Sequence, residues 1–185
     1  MLVHARDTLR SLRNSGSPFM LTLLTLDTHN PPGIFDTCAT DDMVREATAL
    51  KCSMRAVAGF IADLNAQGYL EDTVVVVMTD HLKATGETVD YRAALGGVPH
   101  RTLLLRVSSP DGVTFSRSGA DQFSVLASSL ELLGFHVPDG RAGLGVSFVS
   151  PHDLTGTPLA LPADEYTQLI DAPSSVLYDQ FWQGK

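Results

Sequence analysis

Two short stretches of this 185-residue chain place an acid and an imidazole directly after an apolar run. In "LTLLTLDTHNPPG", residues 21–33, the leucines and threonines give way to Asp27, Thr28 and His29, and Asn30-Pro31-Pro32-Gly33 turns the chain. In "TVVVVMTDHL", residues 73–82, the run stops on Thr79, Asp80 and His81. A carboxylate oxygen with an imidazole nitrogen suits Zn²⁺ or Mn²⁺, and α/β proteins gather ligands where buried strands end. Neighbours on a regular strand point to opposite faces. Asp80 and His81 can therefore share one ion only if the chain leaves strand geometry there. The plainer reading of either stretch is a solvated turn with an acid beside a histidine.

The remaining candidates are weaker. Nothing in the sequence around His4, His100, His136 or His152 suggests convergence on a site. "GLGVS", residues 143–147, lacks the lysine and the glycine spacing of a phosphate loop and reads as a turn. "GETVD", residues 86–90, reads as a solvated loop. Cys38 and Cys52 have neither C-x-x-C spacing nor a matching histidine, so from the residues alone they read as two buried thiols.

The elements that must position these residues follow from periodicity. An amphipathic helix is predicted over roughly 2–14, ended by Gly16-Ser17-Pro18. "FMLTLLTL", 19–26, is a continuous apolar run, expected of a strand covered on both faces. Val44, Ala47, Leu50, Met54, Val57, Ile61 and Leu64 make one helical stripe, with Thr40 or Asp41 able to cap its start and Gly68 its end. Strands are predicted at 73–78 and 101–107, then a helix capped near Asp121 and ended by Gly134. From about residue 150 the chain is Pro-rich and irregular, with a short helix near 163–170. This order of elements indicates an α/β sandwich with a mainly parallel sheet.

The hydrophobic fraction of 44% and charged fraction of 18% suit a folded domain. A net charge of −8, with thirteen scattered Lys and Arg residues, argues against a nucleic-acid surface. No apolar run approaches the roughly 18–20 residues that span a bilayer, and the N-terminal stretch lacks the apolar core of a signal peptide.

Together "PFMLTLLTLDTHNPPG", the paired cysteines, the helix beside them, "TVVVVMTDHL", the Arg101 strand and the "GLGVS" turn resemble the alkaline phosphatase/sulfatase superfamily. More narrowly they are similar to the membrane-anchored phosphoglycerol transferases, the family of the periplasmic glucan enzyme and lipoteichoic acid synthase. The resemblance implies an alkaline-phosphatase-like α/β/α sandwich. Residues 1–150 would be the C-terminal part of its catalytic domain, and 151–185 an irregular tail packed on it.

It also implies roles for the residues. Asp80 and His81 would ligate one divalent ion, Mn²⁺ in most of the family, with Zn²⁺ or Mg²⁺ as alternatives. His29 would touch the substrate phosphate or leaving group, with Asp27 shaping its loop or orienting it. His29, Asp80 and His81 would then lie at one sheet edge, within roughly 10 Å of one another. Phosphoglycerol would pass from a phospholipid donor to a cell-envelope glycan through an ester on a threonine. That threonine and a further metal-ligating glutamate are expected upstream of this chain, since neither Thr25 nor Thr28 stands in the family's motif. The enzyme would be extracytoplasmic, held at the inner membrane by upstream segments, and Cys38 and Cys52 would then form a disulfide.

Two departures bear on the alternatives within the superfamily. The loop after His81 differs from the "DHGES" type of the phosphoethanolamine transferases. The Cys-x-Pro/Ala-x-Arg motif of the sulfatases is absent. A phosphodiesterase is a further alternative, and a truncated, non-catalytic binding domain is the alternative of another class.

Overall fold

The computed structural model describes residues 1–29, 38, 45–82, 104–117 and 121–175. It divides into two compact units, Met1–Arg106 and Val107–Lys185.

The first unit opens with α1, Leu2–Asn14, where the periodicity predicts it. Ala5 and Leu9 are buried on one face, and Gly16 takes φ +69° just past the end, a conformation that suits glycine. Helix α2 spans Arg45–Ala66 and ends through Gly68 at φ +76°, the left-handed exit expected of that glycine. The capping candidates Thr40 and Asp41, and Val44, lie outside the described residues. Ala5 and Leu9 pack with Phe60 and Leu64 of α2, and Leu2, Phe19, Leu21 and Tyr69 close around them. Burying each of the larger side chains stabilises by about 1.5–3 kcal/mol. Arg6 pairs with Asp63. Arg13 pairs with Asp72 at 2.9 Å while its guanidinium lies 4.6 Å from the Tyr69 ring centroid.

The buried face of α2 differs from the predicted stripe. Thr48, Ala49, Ser53, Phe60 and Leu64 are buried, whereas Leu50 and Met54 are exposed. Apolar residues occur nearly all round this helix, and the sequence alone does not say which side meets α1.

The run 19–26 also departs from expectation. It forms no strand ladder among the described residues. Phe19 and Leu21 pack inward, but Met20, Leu24 and Leu26 are about two-thirds exposed. Strand β1, Val75–Met78, and β2, Leu105–Ser108, pair in a two-stranded sheet and show the same alternation, half-buried then exposed. In β1 the exposed positions are Val76 and Met78, and in β2 they are Arg106 and Ser108. Residues 101–103, the predicted start of β2, lie outside the described residues.

The second unit is built on α3, Phe123–Leu132. Asp121 caps it, its Oδ1 accepting the Ser124 N–H at 2.9 Å and the Ser124 hydroxyl at 2.7 Å. At the other end Gly134 N–H donates to Glu131 O and Phe135 N–H to Leu130 O, the paired bonds of a Schellman exit. Strands β3, Arg141–Ala142, and β4, Gly145–Val146, form an antiparallel hairpin turned by Gly143 and Leu144, so "GLGVS" is a turn as read. Gly145 lies against the first turn of α3, where a methyl group would overlap the Phe123 carbonyl. That close approach explains why α3 buries Ser124, Ala127 and Ser128. The two serine hydroxyls meet main-chain N–H groups, Ser124 Oγ accepting Val146 N–H at 3.4 Å and Ser128 Oγ accepting Phe148 N–H at 3.1 Å. Arg117 donates to the Val146 and Ser147 carbonyls. The predicted late helix is α4, Ala163–Asp171.

Candidate metal and phosphate site

The chain leaves strand geometry at Thr79, one residue past β1. Thr79 N–H donates to Leu104 O, and Thr79 Oγ1 accepts the Leu104 N–H, both at 3.0 Å. Asp80 and His81 follow off the strand, so the rule that neighbours face opposite ways no longer applies. Asp80 Oδ1 accepts the His81 N–H at 2.9 Å, and Asp80 Oδ2 lies 3.4 Å from His81 Nε2. The two side chains the sequence singled out are thus brought together, each 71% exposed.

Ring geometry fixes how this pair can act. His81 Nδ1 sits 2.9 Å from the Leu82 carbonyl oxygen, which can only accept, so Nδ1 carries the proton. In the neutral ring Nε2 is then the unprotonated nitrogen, and it lies 3.4 Å from Asp80 Oδ2. Two acceptor atoms at this separation can share one cation. A 3.4 Å gap matches the distance between two ligands of one tetrahedral ion, about 3.3 Å when each bond is about 2.0–2.1 Å. Asp80 and His81 fit a divalent cation as part of its coordination set. Among the described residues no group of three or more His, Cys, Asp or Glu side chains could complete it.

His29 and Asp27 sit in the turn after the 19–26 run, shaped by His29 N–H donating to Leu26 O at 3.0 Å. His29 is exposed and Asp27 half-buried. No side-chain hydrogen bond joins Asp27 to His29 among the described residues. Cys38 and Cys52 are joined in a disulfide, with Cα atoms 5.6 Å apart, rather than present as the two free thiols that the residues alone suggest.

Sequence reasoning missed two things. The Leu82 carbonyl sets the tautomer of His81, and main-chain groups leave no compositional trace. His152 does converge with another group: its Nε2 is 2.7 Å from Glu131 Oε1, both side chains largely buried. Glu131 lies twenty-one residues earlier, on α3, so no local spacing betrays the pair. Its other partners are the Ser147 hydroxyl and the Ser150 N–H.

A family model described as Sulfatase matches residues 1–122. Curated relatives named phosphoglycerol transferase I match as well. The one from Xanthomonas euvesicatoria pv. vesicatoria (strain 85-10) is 30% identical over 151 residues, 73% of this chain and 21% of that protein. The one from Xanthomonas axonopodis pv. citri (strain 306) is 29% identical over 197 residues, 100% of this chain and 26% of that protein. The one from Salmonella arizonae is 31% identical over 166 residues, 84% of this chain and 21% of that protein. The chain thus spans about a fifth to a quarter of the length of these relatives. No solved structure gives a significant match. With the Sulfatase match covering 122 of 185 residues, the chain belongs to the sulfatase family of the alkaline phosphatase/sulfatase superfamily.

Proposed function

We propose that this chain is part of a sulfatase-like phosphotransferase, a divalent-metal-dependent phosphoglycerol transferase. The observation that carries the reading is the Asp80–His81 pair, two acceptors converging at a strand end in a chain whose relatives bear that name. Asp80 and His81 would hold the ion, Mn²⁺ by preference within the family and Zn²⁺ or Mg²⁺ otherwise. When bound, such an ion draws charge from phosphoryl oxygens and lowers the pKa of a hydroxyl nucleophile.

The chain's own residues contribute the rest. The Leu82 carbonyl keeps the proton on Nδ1 and so keeps Nε2 available. His29, exposed on its turn, binds the substrate phosphate or protonates the leaving oxygen, and Asp27 shapes its loop. The nucleophile would be a threonine outside this chain, as would the remaining carboxylate ligand; among the described residues no group of three or more His, Cys, Asp or Glu side chains is present that could hold the ion, and two ligands are too few for a catalytic ion. The surrounding architecture is an α/β/α sandwich with a mainly parallel sheet, to which 1–150 contributes core elements and 151–185 a tail. The donor is a phospholipid headgroup and the acceptor a cell-envelope glycan.

An extracytoplasmic setting suits the Cys38–Cys52 disulfide, because such bonds persist in oxidising compartments. Among the described residues no helix is long and apolar enough to cross a membrane. Attachment to the membrane would therefore come from segments other than these.

The test is Mn²⁺ binding by the chain, read by electron paramagnetic resonance, in wild type, Asp80→Ala and His81→Ala. Binding lost in both variants supports the reading. Equal binding by all three, or none by any, removes its foundation.

A further inference from the structure

We infer that Thr79 is a positioning residue for the Asp80–His81 pair, its hydroxyl ending the β1–β2 ladder so that the two side chains converge. This rests on reading Asp80 and His81 as metal ligands. Both main-chain polar groups of Leu104 are met by Thr79: its carbonyl by the Thr79 N–H, and its N–H by Thr79 Oγ1. Within a ladder that N–H would bond to a main-chain carbonyl. Here the side-chain oxygen takes the carbonyl's place, and the peptide unit between Thr79 and Asp80 is not drawn into the sheet.

The consequence appears one residue later. Freed from the alternation of strand side chains, Asp80 folds back to accept the His81 N–H, and the ring reaches the Leu82 carbonyl. Had the ladder continued through a main-chain carbonyl, Asp80 and His81 would point to opposite faces and could not bind one ion. The position thus requires a hydroxyl. Serine meets this requirement, and valine, of the same shape as threonine, does not.

The experiment uses the whole chain and two readouts. The first is the ¹⁵N pattern of the His81 imidazole without metal, which reports which ring nitrogen carries the proton. The second is Mn²⁺ affinity. Thr79→Ser is expected to keep the Nδ1-protonated pattern and nearly wild-type affinity. Thr79→Val should shift the ring to the mixed pattern of an unanchored imidazole and weaken Mn²⁺ by about tenfold or more, the usual scale for removing an outer support of a metal ligand. A purely structural role would lower melting temperature without moving the ring signals, and unchanged signals in a folded Thr79→Val overturn the proposal. Should Thr79→Val fail to fold, Thr79→Ala takes its place. Failure of both variants with Thr79→Ser folded would mark Thr79 as a general structural residue and also overturn it. If wild type and Asp80→Ala bind Mn²⁺ equally, the metal reading fails, while the ring signals still decide whether Thr79 sets the pair.

Discussion

Glu131, 13% exposed on α3, gathers donors from three points of the following loop: the Ser147 hydroxyl, His152 Nε2 and the Ser150 N–H. Burial by itself pushes its carboxyl up, but the hydrogen bonds from Ser147, His152 and Ser150 and the charge of His152 outweigh it and hold the pKa below the ordinary value. A carboxyl depressed in the folded state contributes stability above its unfolded pKa, and that contribution is lost as pH falls through the folded value. Glu131→Gln should therefore destabilise by about 1–3 kcal/mol at pH 7 in urea unfolding. Its difference from wild type should shrink as pH drops below about 4.5 and through the depressed folded value. Tyr166 runs the other way. Burial first, then the hydrogen bond to Asp121 and the charge on that carboxylate, push its phenol up to about 12. Its contribution is complete below about pH 10 and lost as pH rises through the folded value. Phenolate absorbance should include a late step near pH 12, and Tyr166→Phe should remove it.

At the scale of elements, the hairpin β3–β4 and the turn before it depend on two glycines. Gly140, at φ +66°, faces the His152 ring where any Cβ would overlap it, and Gly145 abuts the Phe123 carbonyl. Gly140→Ala combines left-handed strain with a clash against the Glu131–His152 pair. It should cost roughly 3 kcal/mol or more, read as a lowered urea midpoint. The Cys38–Cys52 bridge closes a separation of 14 residues, worth about 3 kcal/mol on the chain-entropy model. Cys52→Ser should therefore unfold at a clearly lower temperature than the oxidised chain. Element ends were readable in the sequence because they rest on single residues: Gly16 and Gly68 past α1 and α2, Asp121 and Gly134 around α3. Faces were less readable. The buried side of α2 follows Ala49, Ser53 and Phe60 instead of Leu50 and Met54, because a helix apolar nearly all round can present either side. The inward face of α3 is lined by Ser124 and Ser128, an inversion of the usual pattern that only the close approach of Gly145 explains. Of the candidate site, the Asp80–His81 contact was legible as two ligand-type residues at a strand end. The proton position on His81 was not, since it depends on a main-chain carbonyl.

At the scale of the whole chain, the decisive quantity is how much of a catalytic centre it holds. On the proposed reading Asp80 and His81 would supply two ligands, and among the described residues no group of three or more His, Cys, Asp or Glu side chains completes a set, whereas a catalytic ion generally needs three protein ligands and an open position. Metal held by two ligands at an exposed strand end should bind weakly and keep most of its water. The proposed threonine nucleophile is not among the chain's assigned residues, and removing the nucleophile of a catalytic unit costs orders of magnitude in rate. The chain by itself should therefore show no phosphodiester cleavage above background with Mn²⁺ and a chromogenic substrate. On the proposed function, a longer version, of the length of the phosphoglycerol transferase I relatives, is expected to be active. In that longer protein Asp80→Ala and His81→Ala should each abolish turnover, and His29→Ala should lower it while leaving Mn²⁺ affinity in place, because His29 is assigned to the substrate and not to the ion. Turnover by the short chain that disappears on Asp80→Ala would show that a nucleophile lies within these 185 residues and would overturn the assignment of that role to residues outside them.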